Sequence, residues 1–274
     1  MLGGAELVKV SSDGEPGDKS RFVREVERAL LDGEAEVGVH SAKDLPAELT
    51  DGLMLAAAPK REDAGDAWVG PGDSLDEVAE GARVGTASLR RRAQLLAARP
   101  DLQLSELHGN VDTRLRKLAE GELDAIVLAV AGLRRLGREE EIGFAIPAET
   151  MTPAAGQGTL LLQIREGDET VLRAVDPLAD ERTLRELTVE RTVVSLLDAD
   201  CTSPIGVHAI TTGGGAKIRV ETFVGLPDGS EWIRDRLEGS SGEPTLLGAE
   251  LAQRLLATGA REILDRADKW GGRV

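Results

Sequence analysis

Four short stretches hold residue types that can do chemistry. The loop DADCTSPIG, residues 198–206, carries Cys201, the one cysteine among 274 residues. A single thiol forms no internal disulfide and no thiolate metal cluster, so three roles stay open: a small filler, a nucleophile or a covalent attachment point. HSAKD, residues 40–44, places His40, Ser41, Lys43 and Asp44 where an apolar run ends. Asp44 is the candidate acid, with a turn residue or an ion pair to Lys43 as the plain alternative; His40 is expected to pack or bond to backbone at the strand end, with a catalytic role as the alternative. GTASLRRR, residues 85–92, and HGNVDTR, residues 108–114, put small polar residues before arginines at helix starts. Exposed N–H groups there favour anions, and guanidinium forks match carboxylates. Thr86, Ser88, Arg90, Arg91 and Arg114 are therefore candidates for holding several carboxylates.

Charge supports a small anionic ligand over a nucleic acid. The chain carries 49 acidic and 33 basic residues, net −16, which disfavours coating a phosphate backbone. Residues 83–117 nevertheless hold eight Arg/Lys against three acids, a basic island on an acidic protein. The plain alternative is a solvated helix face. There is no P-loop, no GxGxxG, and no HxxxH, CxxC or acid cluster with metal spacing, so no metal is expected. Hydrophobic residues at 41% and charged residues at 30% fit a globular protein without a membrane span. MLGGAELVKV lacks the features of a signal peptide, so a cytoplasmic setting is expected.

The elements that must position these residues follow from periodicity. Strands are predicted over 5–12, 35–44 and 52–59, with a helix over 20–34 capped by Ser20 and stopped by Gly33. Strand, helix, strand is the unit of a parallel sheet. A second series has strands over 82–85, 102–107 and 124–132 and helices over 88–100, 111–121 and 133–137. MTPAAGQG (151–158) connects to a strand over 159–165 that can return to the first sheet. An amphipathic helix over 181–196 leads to the cysteine loop. Strands over 207–212, 217–225 and 231–239 follow, with a hairpin turn at Asp228–Gly229. The end is one long helix over 246–270, or two broken near Gly259. The fold class is α/β: two lobes, 1–60 with 159–177 and 61–158, plus a C-terminal α+β domain over 178–274.

HSAKDLP (40–46), REDAGDAWV (61–69), VGTASLRRRAQLLAARPDL (84–102), LHGNVDTRLRKLAEGELDAIVLAVAGLRRLG (107–137), PAAGQG (153–158) and CTSPIG (201–206) together resemble porphobilinogen deaminases, also called hydroxymethylbilane synthases. The match runs in order through nearly the whole chain. The resemblance implies two periplasmic-binding-protein-like (type II) lobes and a third domain carrying the cysteine. It implies a transferase of porphyrin and haem biosynthesis that condenses four porphobilinogen molecules head to tail, losing ammonia each time, to give hydroxymethylbilane. Cys201 would carry a dipyrromethane cofactor through a thioether. Asp44 would be the catalytic carboxylate, stabilising the cation left when ammonia departs. Lys43, Ser41, Thr86, Ser88, Arg90, Arg91 and Arg114 would hold cofactor or substrate side chains. Lys19, in a mobile loop, and His108 would join Arg114 in contacting substrate. The partners implied are porphobilinogen and oligopyrrole intermediates, with no nucleic acid, no membrane, and a monomeric protein.

There are departures. Family members begin with a strand and an Arg-Gly-Ser motif that has no counterpart here, so the sequence is expected to start inside the first lobe. GDKSRF (17–22) differs from Gly-Gly-Lys-Gly-Leu-Phe, and Glu141 stands near the place of another substrate-binding arginine. A non-catalytic two-lobed binding protein and a truncated, inactive deaminase are the alternatives. His108 replaces the arginine of Leu-Arg-Gly-Asn. Imidazole is only partly charged near neutral pH, whereas guanidinium is always charged. Steady-state kinetics should therefore give His108→Arg a lower apparent substrate constant than the parent; equal constants would remove the idea.

Overall fold

A computed structural model describes residues 6–8, 10, 19–46 and 49–270; for 19 and 20 it describes only the backbone. The strand predicted over 5–12 lies largely outside these residues, and the described 6–8 and 10 join no sheet. Helix α1, Lys19–Leu31, starts at Lys19, so Ser20 lies within its first turn and does not cap it. Val23, Glu27 and Leu30 recur at helical spacing and are buried. Strand β1, Gly38–Ser41, follows and ends in a 3-10 turn, Ala42–Asp44.

The first sheet differs from the parallel unit expected. Strand β2 is Leu53–Ala57 and strand β8 is Leu160–Arg165. Their order is β1-β8-β2, and β8 runs antiparallel to both neighbours. The strand returning from the second lobe enters between the two outgoing strands. Its run LLLQI suits a central place, since Leu161 and Ile164 are buried at 1% and 0% exposure.

The second lobe is one five-stranded sheet. Its strands are β3 (Asp66–Val69), β4 (Arg83–Gly85), β5 (Gln103–Ser105), β6 (Ala125–Ala129) and β7 (Phe144–Ile146). The order is β5-β4-β6-β3-β7; β4 is parallel to β5 and β6, while β3 is antiparallel to β6 and β7. Helices α2 (Leu89–Ala98), α3 (Val111–Ala119) and α4 (Val130–Arg135) cover it. Trp68 and Val127 face one apolar cluster, Ala67, Ile126 and Leu128 the other, so both faces of the centre are buried. The predicted strand over 124–132 stops at Ala129, and α4 starts at Val130, whose N–H bonds to Gly65 O.

After a short helix α5 (Glu169–Val175), helix α6 occupies Glu181–Leu196. Asp180 caps it by accepting from Thr183 N. Strands β9 (Ile205–Thr212), β10 (Lys217–Gly225) and β11 (Trp232–Ser240) form an antiparallel sheet in the order β11-β10-β9. Helices α7 (Pro244–Ala257) and α8 (Ala260–Asp268) are two elements because Gly259 sits at φ +95°, where a side chain would be strained. Val189, Val193, Val220, Leu251, Leu255 and Ile263 form the core here.

Glu190 of α6 ties the parts together. Its fully buried carboxylate binds Arg61 at 2.7 Å and accepts from Gly156 N and Ala209 N. Arg61 lies on the crossing to the second lobe, Gly156 on the return, Ala209 on β9. Removing the carboxylate strands a guanidinium and two buried N–H groups. Glu190→Ala should therefore lose about 3–5 kcal/mol of stability, read from urea unfolding.

Candidate active site

Ser41 closes β1, and the 3-10 turn after it carries Lys43 and Asp44, both half-buried. The turn is fixed from three sides. Ala42 N–H donates to Thr159 O at 3.0 Å. Arg191 of α6 donates to Leu45 O and Pro46 O at 3.2 and 2.6 Å. Lys43 Nζ donates to Gln157 Oε1 at 3.2 Å. His40 points inward, as expected, but bonds a side chain, Gln163, at 2.9 Å. Gln163 Nε2 in turn donates to buried Glu27. Burial lowers the His40 pKa more than Gln163 and Glu27 raise it.

The arginines come from helices α2 and α3 of the second lobe. Ser88 caps α2 by accepting from Arg91 N, and Thr86 Oγ1 accepts from Ser88 N, so both hydroxyls shape the helix start. Arg90 and Arg91 are buried and converge on Asp66, at the start of β3, each at 2.7 Å. Arg90 also donates to Thr152 O and Arg91 to Val127 O, both at 2.8 Å. These bonds use three of the five N–H groups of each guanidinium, leaving donors for a ligand. Burial alone would push the Asp66 carboxyl up; Arg90 and Arg91, helped by Gln157, hold it below the usual carboxylate range. Arg114 of α3 is half-buried and anchored by Nε donating to Gly109 O at 2.8 Å. Burial and then Arg91 lower its pKa, while Asp44 acts the other way. Asp44 likewise acts on Arg91. Asp44, Arg91 and Arg114 thus share one electrostatic environment between the lobes.

Other predicted residues are placed differently. Lys19 opens a helix, not a loop, and its side chain lies outside the described residues. His108 is exposed and pairs with Glu106 at 2.9 Å. Glu141 pairs with Arg138 at 3.4 Å. Cys201 is exposed on its loop. Asp200 builds that loop by accepting from the N–H and hydroxyl groups of Thr202 and Ser203. Burial raises the Asp200 pKa, but those bonds outweigh it and hold the carboxyl low. The loop runs into β9, where Gly206 packs on Thr152 and Val207 N–H donates to Pro153 O at 2.9 Å. Thr152 O is also the acceptor of Arg90, so the cysteine loop is anchored to the segment holding the arginine pair.

Comparison with known proteins fits this arrangement. The family model described as porphobilinogen deaminase, dipyromethane cofactor binding domain, matches residues 8–173. The model of the porphobilinogen deaminase C-terminal domain matches 184–257. The chain belongs to the porphobilinogen deaminase family. The porphobilinogen deaminase of Brevibacillus brevis is 45% identical over 249 residues, covering 90% of this chain and 80% of that protein. That of Thiobacillus denitrificans is 46% identical over 250 residues, covering 91% and 81%. That of Pelotomaculum thermopropionicum is 44% identical over 264 residues, covering 96% and 82%. The cofactor-domain match takes in Ser41 through Arg114, and the C-terminal match takes in Cys201. The residues fit a dipyrromethane group in a porphobilinogen deaminase: one exposed thiol for attachment, and guanidinium donors to spare for its carboxylates.

Sequence reasoning passed over Asp66 and Gln157, although both lie in the motifs quoted. The signal for Asp66 was an acid opening the otherwise apolar strand DAWV. Its lowered pKa means that its charge stabilises the fold above about pH 4, the unfolded carboxylate value, and that this is lost as pH falls through the folded value. Asp66→Asn should be less stable than the parent at pH 7. Its stability should also fall less steeply below about pH 4, measured by urea unfolding across pH.

Proposed function

We propose that this chain catalyses the stepwise head-to-tail condensation of four porphobilinogen molecules to hydroxymethylbilane. Each addition joins an aminomethyl carbon to the free ring carbon of the preceding pyrrole, with loss of that ring's proton and of ammonia; after four additions water cleaves the tetrapyrrole from the primer and supplies its hydroxyl. The observation that supports the reading is that the turn bearing Asp44 is tied through Lys43 and Gln157 to Asp66, the shared partner of Arg90 and Arg91. A dipyrromethane group bound to Cys201 supplies a tethered primer for chain growth.

The protein's own residues do the rest. Asp44 presents a carboxylate to the positive charge that develops as ammonia leaves, and takes up the ring proton released on bond formation. Arg91, Arg90 and Arg114 hold acetate and propionate groups through bidentate or charge-assisted bonds. Ser41, Thr86, Ser88 and Lys43 add single hydrogen bonds along the same wall. Lys19 and His108 contact the incoming substrate. The working units are 1–60 with 159–177, 61–158, and 178–274. No helix among the described residues is long and apolar enough to cross a membrane. We read the protein as a cytoplasmic monomer that meets porphobilinogen and its oligomers, without nucleic acid or membrane partners.

Intact mass spectrometry tests the attachment. Protein made with ample porphobilinogen should carry two linked pyrroles, and Cys201→Ser should not. Asp44→Asn should lower kcat by about 10²–10⁴-fold with a smaller change in substrate affinity. A wild-type protein without the added mass would leave a binding protein or an inactive deaminase; an active parent whose Asp44→Asn variant keeps normal kcat would remove the catalytic role of Asp44.

A further inference from the structure

Gln157 is 1% exposed, and its side-chain amide is used at both ends. Nε2 donates to Ala64 O at 2.7 Å, Asp66 Oδ1 at 3.0 Å and Gly65 O at 3.2 Å. Oε1 accepts from Lys43 Nζ at 3.2 Å. Two carbonyls and a carboxylate on one side, and an ammonium on the other, leave one orientation for the amide. The backbone around it is equally constrained. Arg61 Nε donates to Gln157 O at 2.9 Å, and Arg135 donates to Gly158 O at 2.7 Å. Gly156 and Gly158 adopt φ +71° and +84°; a Cβ on the first would press on Ala42, and on the second against Glu62 O. The return crossing is thus wedged between the Asp44 turn and the outgoing crossing.

We propose that Gln157 is a positioning residue that couples the second lobe to Lys43, and through it to the turn bearing Asp44. This rests on the deaminase reading above. One end of the amide moves with Asp66, and hence with Arg90 and Arg91; the other end holds Lys43. Any rotation of the lobes about the two crossings changes the distance this amide spans. Lys43 is therefore presented to the growing chain only in the arrangement in which Asp66 is also in reach. The variants that break one or both jobs are clear: ionised glutamate lacks the donors, lysine and arginine lack the acceptor, and methionine lacks both.

The test uses the protein carrying its primer. Charged groups around position 157 are Lys43, Arg61, Asp66, Arg90, Arg91, Arg135 and Glu190, on the turn, the outgoing crossing, strand β3 and helices α2, α4 and α6. Q157M should lower kcat about tenfold while changing KM about twofold or less, the loss expected for one ordering contact. Q157E should be impaired at about pH 8 and recover toward the parent rate near pH 6, as a protonated carboxyl returns one donor and still accepts from Lys43. Lys43→Met combined with Q157M should cost no more than Lys43→Met alone. An active parent with a Q157E profile parallel to it, or with additive kcat losses for the pair, overturns this role and leaves the deaminase reading standing. A parent that consumes no porphobilinogen overturns the reading, and this role with it. Should Q157M fail to fold, the Q157E profile alone decides.

Discussion

The carboxylate of Asp66, wholly buried beneath two guanidiniums, is the interaction on which the second lobe and the site both depend. A site for polycarboxylates needs fixed positive charge before the ligand arrives. Two bare arginines side by side would repel each other and would stay in water. One shared aspartate removes half of that charge and gives each guanidinium a fixed partner, so the pair can be buried in place. In the proposed role, the remaining N–H donors sit on a rigid base, and a ligand carboxylate would meet donors that need no further ordering. Asp66 can play this part only because it opens β3, whose neighbours β6 and β7 pair with it on both sides.

The third domain does more than carry the thiol. Arg234 of β11 lies over the rings of Phe223 and Trp232 at 4.9 and 5.9 Å. From there it donates to Glu149 O, Thr150 O and Gln94 Oε1 of the second lobe. Gln94 also binds both backbone groups of Thr152, the residue that receives Arg90. On the other side, Arg191 holds the end of the Asp44 turn, and Glu190 holds both crossings. Adjacent residues of α6 therefore reach the first lobe and the crossings, while β11 reaches the second lobe. The domain that bears Cys201 is referenced to both walls of the cleft.

Much of this was legible locally. Helix α6 falls on the predicted 181–196 because Asp180 supplies a cap and the apolar spacing is unbroken. The break at Gly259 was legible for the same kind of reason: one residue type permits that backbone. The returning strand β8 was visible as an apolar run, but its antiparallel place between β1 and β2 was not, because strand order is set by partners more than a hundred residues away. Strands β3 and β7 were missed as short runs without alternation, stabilised by each other. The candidate arginines and Asp44 were named from type and position. That two of those arginines share one aspartate is a contact across 24 and 25 residues between a helix and a strand, and no local pattern encodes it.

Overall charge makes the local arrangement necessary. A chain of net −16 repels a polyanion at long range, so attraction has to come from charges closer to the ligand than the rest of the protein. Beyond about 8–10 Å, salt screens the unfavourable field, while contacts within the cleft are screened much less. That favours guanidiniums held at the cleft wall over lysines scattered on the surface, which would be paired or screened away. Arg91 and Arg114, on which Asp44 acts, are themselves anchored by other groups, Arg91 by Asp66 and Arg114 by Gly109 O. In the proposed role, the carboxylate of Asp44 stabilises the cationic carbon that the reaction creates.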